Sequence, residues 1–171
     1  MAIQRLNHAV LYVADVARSV AFYTDVLGFR TKADLGKAAF LQAAGSTNDH
    51  DLGLFQMGGG AGPSQAGLTT VGLYHLAWEV DTLAELQRIA GVLSKAGALV
   101  GATDHTTTKA LYARDPDGIE FEVCWLVPAD LLPTIDTAAA MELRPLDLER
   151  EIARFGPDTR GGVGASIPLP S

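Results

Sequence analysis

The chain predicts an α+β fold: two tandem βαβββ modules whose strands form a curved, partly open barrel-like sheet around a cleft. Three observations predict it. A strand, a helix and three further strands are patterned through residues 5–56 and again through 71–125. An offset of 67 carries His8 onto His75 and Val13 onto Val80, and one of 69 carries Gly28 onto Gly97. Between the copies, the stretch from Gly58 to Gly67 is glycine-rich and reads as a flexible connector. The expected organisation is therefore a first module over 1–57, a linker over 58–70, a second module over 71–126 and a C-terminal extension over 127–171.

In the first copy, residues 5–13 (RLNHAVLYV) read as a strand with His8 in its middle. Asp15 caps a helix over 16–27, which Gly28 ends. Residues 29–34 and 37–44 read as strands turned at Gly36, and 50–56 (HDLGLFQ) as a fourth strand beginning at His50. The second copy reads the same way: a strand over 71–80 with His75 in its middle, a helix over 82–96 capped by Asp81 and stopped by Gly97, then strands near 98–103, 107–114 and 119–125. Past Pro128 the pattern ends. Leu131, Leu132, Pro133 and an alanine run lead to a charged helical segment over 146–155 and a Gly/Pro-rich end, expected to pack on a neighbouring subunit or to lie disordered.

The most informative stretch is the last hairpin. Asp115-Pro116-Asp117-Gly118 is a type I turn sequence, with Pro116 presetting φ and Gly118 suited to the left-handed position of a three-residue loop. That loop sets Asp115 against Ile119, Arg114 against Glu120 and Tyr112 against Glu122. Ile119, Phe121 and Val123 then form an apolar row, and Tyr112 and Glu122 share the opposite face. A carboxylate there requires a cation or a metal.

Composition narrows the function. A formal charge of −7 without a basic stripe argues against nucleic acid or an anionic membrane as partner. No window approaches the roughly 18 apolar residues of a membrane span, and the lone Cys124 reads as a packed thiol in a reducing compartment. A cytoplasmic protein that assembles as a homodimer or a higher homo-oligomer is the expectation.

His8 and His75 occupy equivalent places in the two copies, and Glu122 stands on a strand that must face the same cleft. Two imidazoles and one carboxylate make a facial triad, which suits non-haem Fe(II) and dioxygen and leaves coordination positions free. Carrying Glu122 back by the repeat offset reaches Gly53 to Phe55, where there is no carboxylate, so a fourth protein ligand is not expected. On this reading the cleft is a metal cleft.

The repeated unit with His8, His75 and Glu122 resembles the vicinal oxygen chelate superfamily, over residues 5–126. Within it, Thr103-Asp104-His105, Leu111-Tyr112, the Asp-Pro-Asp-Gly turn and Glu122, in that spacing, resemble the signature of type I extradiol ring-cleaving dioxygenases. The run from His50 to Phe55 is similar to that family's strand bearing the acid/base histidine. The resemblance implies His50 as acid/base, Tyr112 as hydrogen-bond donor to a substrate oxygen, and His105 as a supporting or substrate-contacting histidine. It also implies Fe(II), with Mn(II) or another divalent metal as the alternative. The implied partners are a small aromatic diol and O2. Such enzymes often have four modules where this chain has two.

Chemically, a catechol-type ring needs a base as it binds and an acid later, and an imidazole near its ordinary pKa serves as both. Phe40, Leu54 and Phe55 are candidates for an apolar wall. Two other functions stand beside the dioxygenase: a glyoxalase- or epimerase-like metal isomerase or lyase, and a metal-free binder of small molecules or drugs.

Overall fold

The fold is that of a computed structural model, which describes residues 2–3, 5–66, 69–136 and 143–169. The alanine run at 138–140 and positions 67 and 68 of the connector lie outside the described residues. The chain divides into two compact units. One holds residues 1–65 and the hairpin turn 115–119, and the other holds 66–114 and 120–171.

In the first unit the elements are β1 (Ala9–Val13), α1 (Val16–Asp25), β2 (Arg30–Asp34), β3 (Ala38–Gln42) and β4 (Leu52–Gln56). The sheet runs β1-β4-β3-β2, with β1 parallel to β4 and the other pairs antiparallel. Strand alternation sorts its faces. Leu11, Leu54 and Ala39 stand in one register row and are buried, as are Val16, Ser19 and Tyr23 of α1. The opposite face carries Val10, Tyr12 and Phe55, all exposed.

The second unit repeats the topology. Its elements are β5 (Leu76–Glu79), α2 (Leu83–Lys95), β6 (Leu99–Asp104), β7 (Thr108–Arg114), β8 (Glu120–Leu126), β9 (Arg144–Pro145) and α3 (Leu148–Phe155). The order β5-β8-β7-β6 matches the first sheet strand for strand, β5 is parallel to β8, and β9 extends the β6 edge. Leu83, Leu86, Ile89 and Leu93 of α2 are buried, together with Leu111, Ala113, Phe121, Val123 and Trp125 on one face of the sheet. The fold is α+β with duplicated βαβββ sheets, neither closed into a barrel.

Several expected boundaries move, each for a local reason. The first strand begins at Ala9 rather than at residue 5, because its ladder can start only where β4 starts, at the pair Ala9 and Leu52. The chain before Leu52 is tied into a loop by Asp51, whose carboxylate accepts from Ser46 Oγ and Asn48 Nδ2, both at 2.7 Å, and from the Ala43 amide at 2.8 Å. His50 therefore precedes its strand. Likewise β5 starts at Leu76, paired with Phe121, so His75 also stands one residue ahead of its strand. The second helix is capped by Thr82, not Asp81. Thr82 Oγ1 accepts from the Glu85 amide at 3.2 Å, and Thr-x-x-Glu is a capping-box sequence.

The described part of the C-terminal extension is attached to its own chain. It packs within the second unit: the Phe155 and Trp125 ring centroids are 5.4 Å apart, and Trp125 Nε1 donates to the Thr159 carbonyl at 3.1 Å. A Cβ at Gly161 would overlap Trp125 Nε1, and one at Gly162 would overlap Glu79 Oε1, so glycine is what lets the chain pass this close.

Candidate functional site

The hairpin register is as the turn sequence requires. Tyr112 pairs with Glu122 and Arg114 with Glu120, the Asp115 amide donates to the Ile119 carbonyl at 3.0 Å, and Gly118 takes φ +79. Asp115 closes the loop by accepting from the amides of Asp117 and Ile119, both at 2.9 Å, and Tyr23 Oη donates to it at 3.2 Å.

In register, Ala77 of β5 flanks Glu122 on one side and Tyr112 of β7 on the other. His75 lies two residues before Ala77, and its Nε2 is 3.2 Å from Glu122 Oε2. Glu122 thus has an imidazole nitrogen as its neighbour. His75 Nδ1 is buried without a hydrogen-bond partner among the described residues. The Tyr112 and His75 ring centroids are 5.7 Å apart, and the Tyr112 hydroxyl is 2.8 Å from His105 Nε2.

Sequence reasoning missed Cys124 and Tyr74 here. Cys124 hydrogen-bonds Glu122 from two residues further along the same strand face. Burial, then the nearby Glu122 and Glu79 carboxylates, push its thiol up to about 12, so it is a neutral donor rather than a thiolate. The i, i+2 spacing was the available signal. The Tyr74 ring centroid lies 4.6 Å from that of His75, and its hydroxyl is pulled above its usual value by a hydrogen bond to Glu120.

His8 and His50 belong to the first unit, where their ring centroids are 4.5 Å apart. Asn7 Oδ1 lies 2.8 Å from His8 Nδ1, and Asp49 Oδ2 lies 3.0 Å from His50 Nδ1. That bond draws Asp49 below the ordinary carboxylate range. Phe40 meets His50 edge-on at 5.0 Å and Phe55 at 6.0 Å, so both belong to an aromatic face, whereas Leu54 is fully buried on the other side of β4 and is no part of that wall. By register Gly53, between Val10 and Phe40, is the first-unit counterpart of Glu122, which lies between Ala77 and Tyr112. The duplication thus offers a single carboxylate.

Among the described residues, no three or more His, Cys, Asp or Glu side chains are gathered into a group that could hold a metal ion. The His75–Glu122 pair nevertheless fits a divalent ion. Two donors about 2.1 Å from one ion and at right angles stand roughly 3 Å apart, which the observed 3.2 Å matches.

Tyr112 is suited to donate rather than to ionise. Burial, followed by the Glu122 charge, pushes its hydroxyl up to about 12, and burial raises Tyr23 well above its usual value as well. Unfolded tyrosine titrates near about 10, so between about pH 10 and about 12 the unfolded chain holds fewer protons than the native one and stability falls as pH rises. Urea midpoints measured across that window are expected to drop, and to drop less steeply in Tyr112→Phe. Equal slopes would show that Tyr112 titrates normally.

A family model described as the Glyoxalase/Bleomycin resistance protein/Dioxygenase superfamily matches residues 5–123. The chain is 31% identical over 121 residues to the catechol-2,3-dioxygenase of Bacillus subtilis (strain 168), covering 69% of this chain and 40% of that protein. It is 32% identical over 115 residues to biphenyl-2,3-diol 1,2-dioxygenase 3 of Rhodococcus globerulus, covering 67% of this chain and 59% of that one. The chain therefore spans only 40% and 59% of the length of these relatives. Among solved structures, the glyoxylase/bleomycin resistance protein/dioxygenase domain from Frankia sp. EAN1pec superposes with a TM-score of 0.60 at 25% identity, over 72% of this chain and 92% of that one. No helix among the described residues is long and apolar enough to cross a membrane.

Proposed function

From the premise that this chain belongs to the glyoxalase/bleomycin resistance protein/dioxygenase superfamily, we propose that it is a metal-dependent extradiol dioxygenase acting on a catechol-type aromatic diol. The observation that carries the proposal is the His75–Glu122 pair at 3.2 Å with Tyr112 paired to Glu122 in register. Its support from relatives is the similarity to two diol dioxygenases. In this reading His75 and Glu122 would hold the metal, and His8 is the further imidazole that the duplicated sequence offers as a ligand. The metal is Fe(II), with Mn(II) or another divalent ion as the alternative, and when bound it supplies the Lewis acidity and one-electron chemistry for the reaction of diol with dioxygen.

The chain's own residues do the remainder. Tyr112, held neutral, donates a hydrogen bond to a substrate oxygen as negative charge grows there. His105 holds the tyrosine hydroxyl. His50 takes a phenolic proton and later returns it, and its bond to Asp49 fixes the ring. Phe40 and Phe55 offer aromatic surface to the diol ring.

The test is direct. Protein purified without oxygen, loaded with Fe(II) and given catechols in air is expected to form a yellow ring-fission product. Metal uptake without any ring fission would point to an isomerase or lyase of the same superfamily, and no uptake at all to a binder. His50→Phe is expected to keep its metal and to lose at least about a hundredfold in kcat; full turnover in this variant would remove His50 from the mechanism.

A further inference from the structure

The turn between β6 and β7 contains a backbone conformation that the sequence does not favour. Thr106 has φ +70, the one non-glycine residue at positive φ among those described. A β-branched side chain is unfavourable there, and such a residue persists only where its surroundings over-determine it. Here they do. Asp104 Oδ1 accepts from the Thr106 amide at 2.8 Å, Lys109 Nζ donates to the Thr106 carbonyl at 3.0 Å, and the Thr107 amide donates to the His105 carbonyl at 2.8 Å.

The residue carried by this turn is His105, whose Nε2 meets the Tyr112 hydroxyl at 2.8 Å. The clamp itself is anchored from outside the duplicated modules. Lys109 is fully buried on the core face of β7, opposite Trp125. Its ammonium lies 2.5 Å from Asp104 Oδ1 and 3.0 Å from Glu151 Oε2, and Glu151 is itself buried on α3. Arg150, next to it on α3, reaches Asp104 at 3.5 Å and Glu151 at 3.0 Å. A continuous path of contacts thus runs from the C-terminal helix through Lys109 and Asp104 to the strained turn and on to the tyrosine.

We propose that the C-terminal helix is a positioning element of the site: Glu151 fixes Lys109, Lys109 and Asp104 hold Thr106 in its left-handed form, and that form keeps His105 on the hydroxyl of Tyr112. Glu151 is a positioning residue, acting only through others. The functional weight of this arrangement rests on the role given to Tyr112 above, but the geometry can be tested without turnover.

The experiment reads the ring nitrogens of His105 by long-range proton–nitrogen NMR on the full chain, with His105→Asn identifying its signal and Tyr112→Phe giving its position without the hydroxyl. Glu151→Ala is expected to move the His105 signal toward its position in Tyr112→Phe, and Glu151→Asp to restore most of the wild-type position. Leu86→Ala, which truncates the buried face of α2, serves as the control for lost stability and is expected to leave the signal in place. Should Glu151→Ala fail to fold, Glu151→Gln, which removes the charge and keeps the shape, carries the same expectation. A His105 signal unmoved in the folded Glu151 variant, or moved equally by Leu86→Ala, overturns the proposal. A wild-type protein that cleaves no diol leaves the NMR result standing, so the two failures are distinguishable.

Discussion

Replacing Glu122 by alanine is expected to abolish metal retention and with it ring cleavage. In the first unit the register counterpart of Glu122 is Gly53, so the duplication holds no second carboxylate to take its place. On the proposed ligand set, losing the carboxylate leaves only imidazole donors, and affinity for a hard or borderline divalent ion falls accordingly. Metal content per chain, measured after anaerobic loading and gel filtration, is expected to drop from about one ion to near zero. Glu122→Gln, with one oxygen kept and the charge removed, should fall in between. The fold is expected to survive, because Glu122 lies on the face of β8 opposite the buried row of Phe121 and Val123. A Glu122→Ala protein that retains its metal would remove this residue as a ligand and take the dioxygenase reading with it.

That residue is legible in the sequence because a hairpin with a defined turn transmits position by counting. Once Asp115 and Ile119 close the Asp-Pro-Asp-Gly loop, every pair behind them is set, and Glu122 must stand beside Tyr112. Strand starts were less legible, since a ladder begins where its partner begins. His8 and His75 look like mid-strand residues in a β-rich run, yet each stands just ahead of the strand because Leu52 and Phe121 are the first available partners. The cap of α2 was misread for another reason: Asp81 and Thr82 are both good capping residues, and only the Glu three positions after Thr82 separates them. Least legible was the tail. Hydropathy reads α3 as a solvated charged helix, whereas Glu151 is buried together with Phe155, its charge met by a lysine from a core strand. A buried ion pair has no periodic signature, and each half of it looks like a surface residue in its own segment.

That buried lysine leads to the second large effect. Lys109→Ala is expected to destabilise the folded chain by about 3–5 kcal/mol, the range for breaking a buried ion pair by removing one partner. Two carboxylates lose their buried cation at once, Asp104 and Glu151, with side chains 8% and 1% exposed, and only the exposed Arg150 remains beside them. The pH dependence separates this cause from simple loss of packing. In the wild type, burial tends to raise Asp104, but the Lys109 hydrogen bond, the Thr106 amide and the Lys109 and Arg150 charges outweigh it, and its carboxyl lies below the usual value. Its contribution is therefore present above the unfolded value near pH 4 and is lost as pH falls below it. Lowering the pH from about 6 to about 3 is then expected to narrow the gap between variant and wild type in urea unfolding, because only the wild type has the Asp104 contribution to lose. Lys109→Met, which refills the volume but supplies no cation, should follow the same pH trend. A gap that stays constant across this range in both variants would mean that Lys109 stabilises by packing alone and that the carboxylates around it were never strongly coupled to its charge.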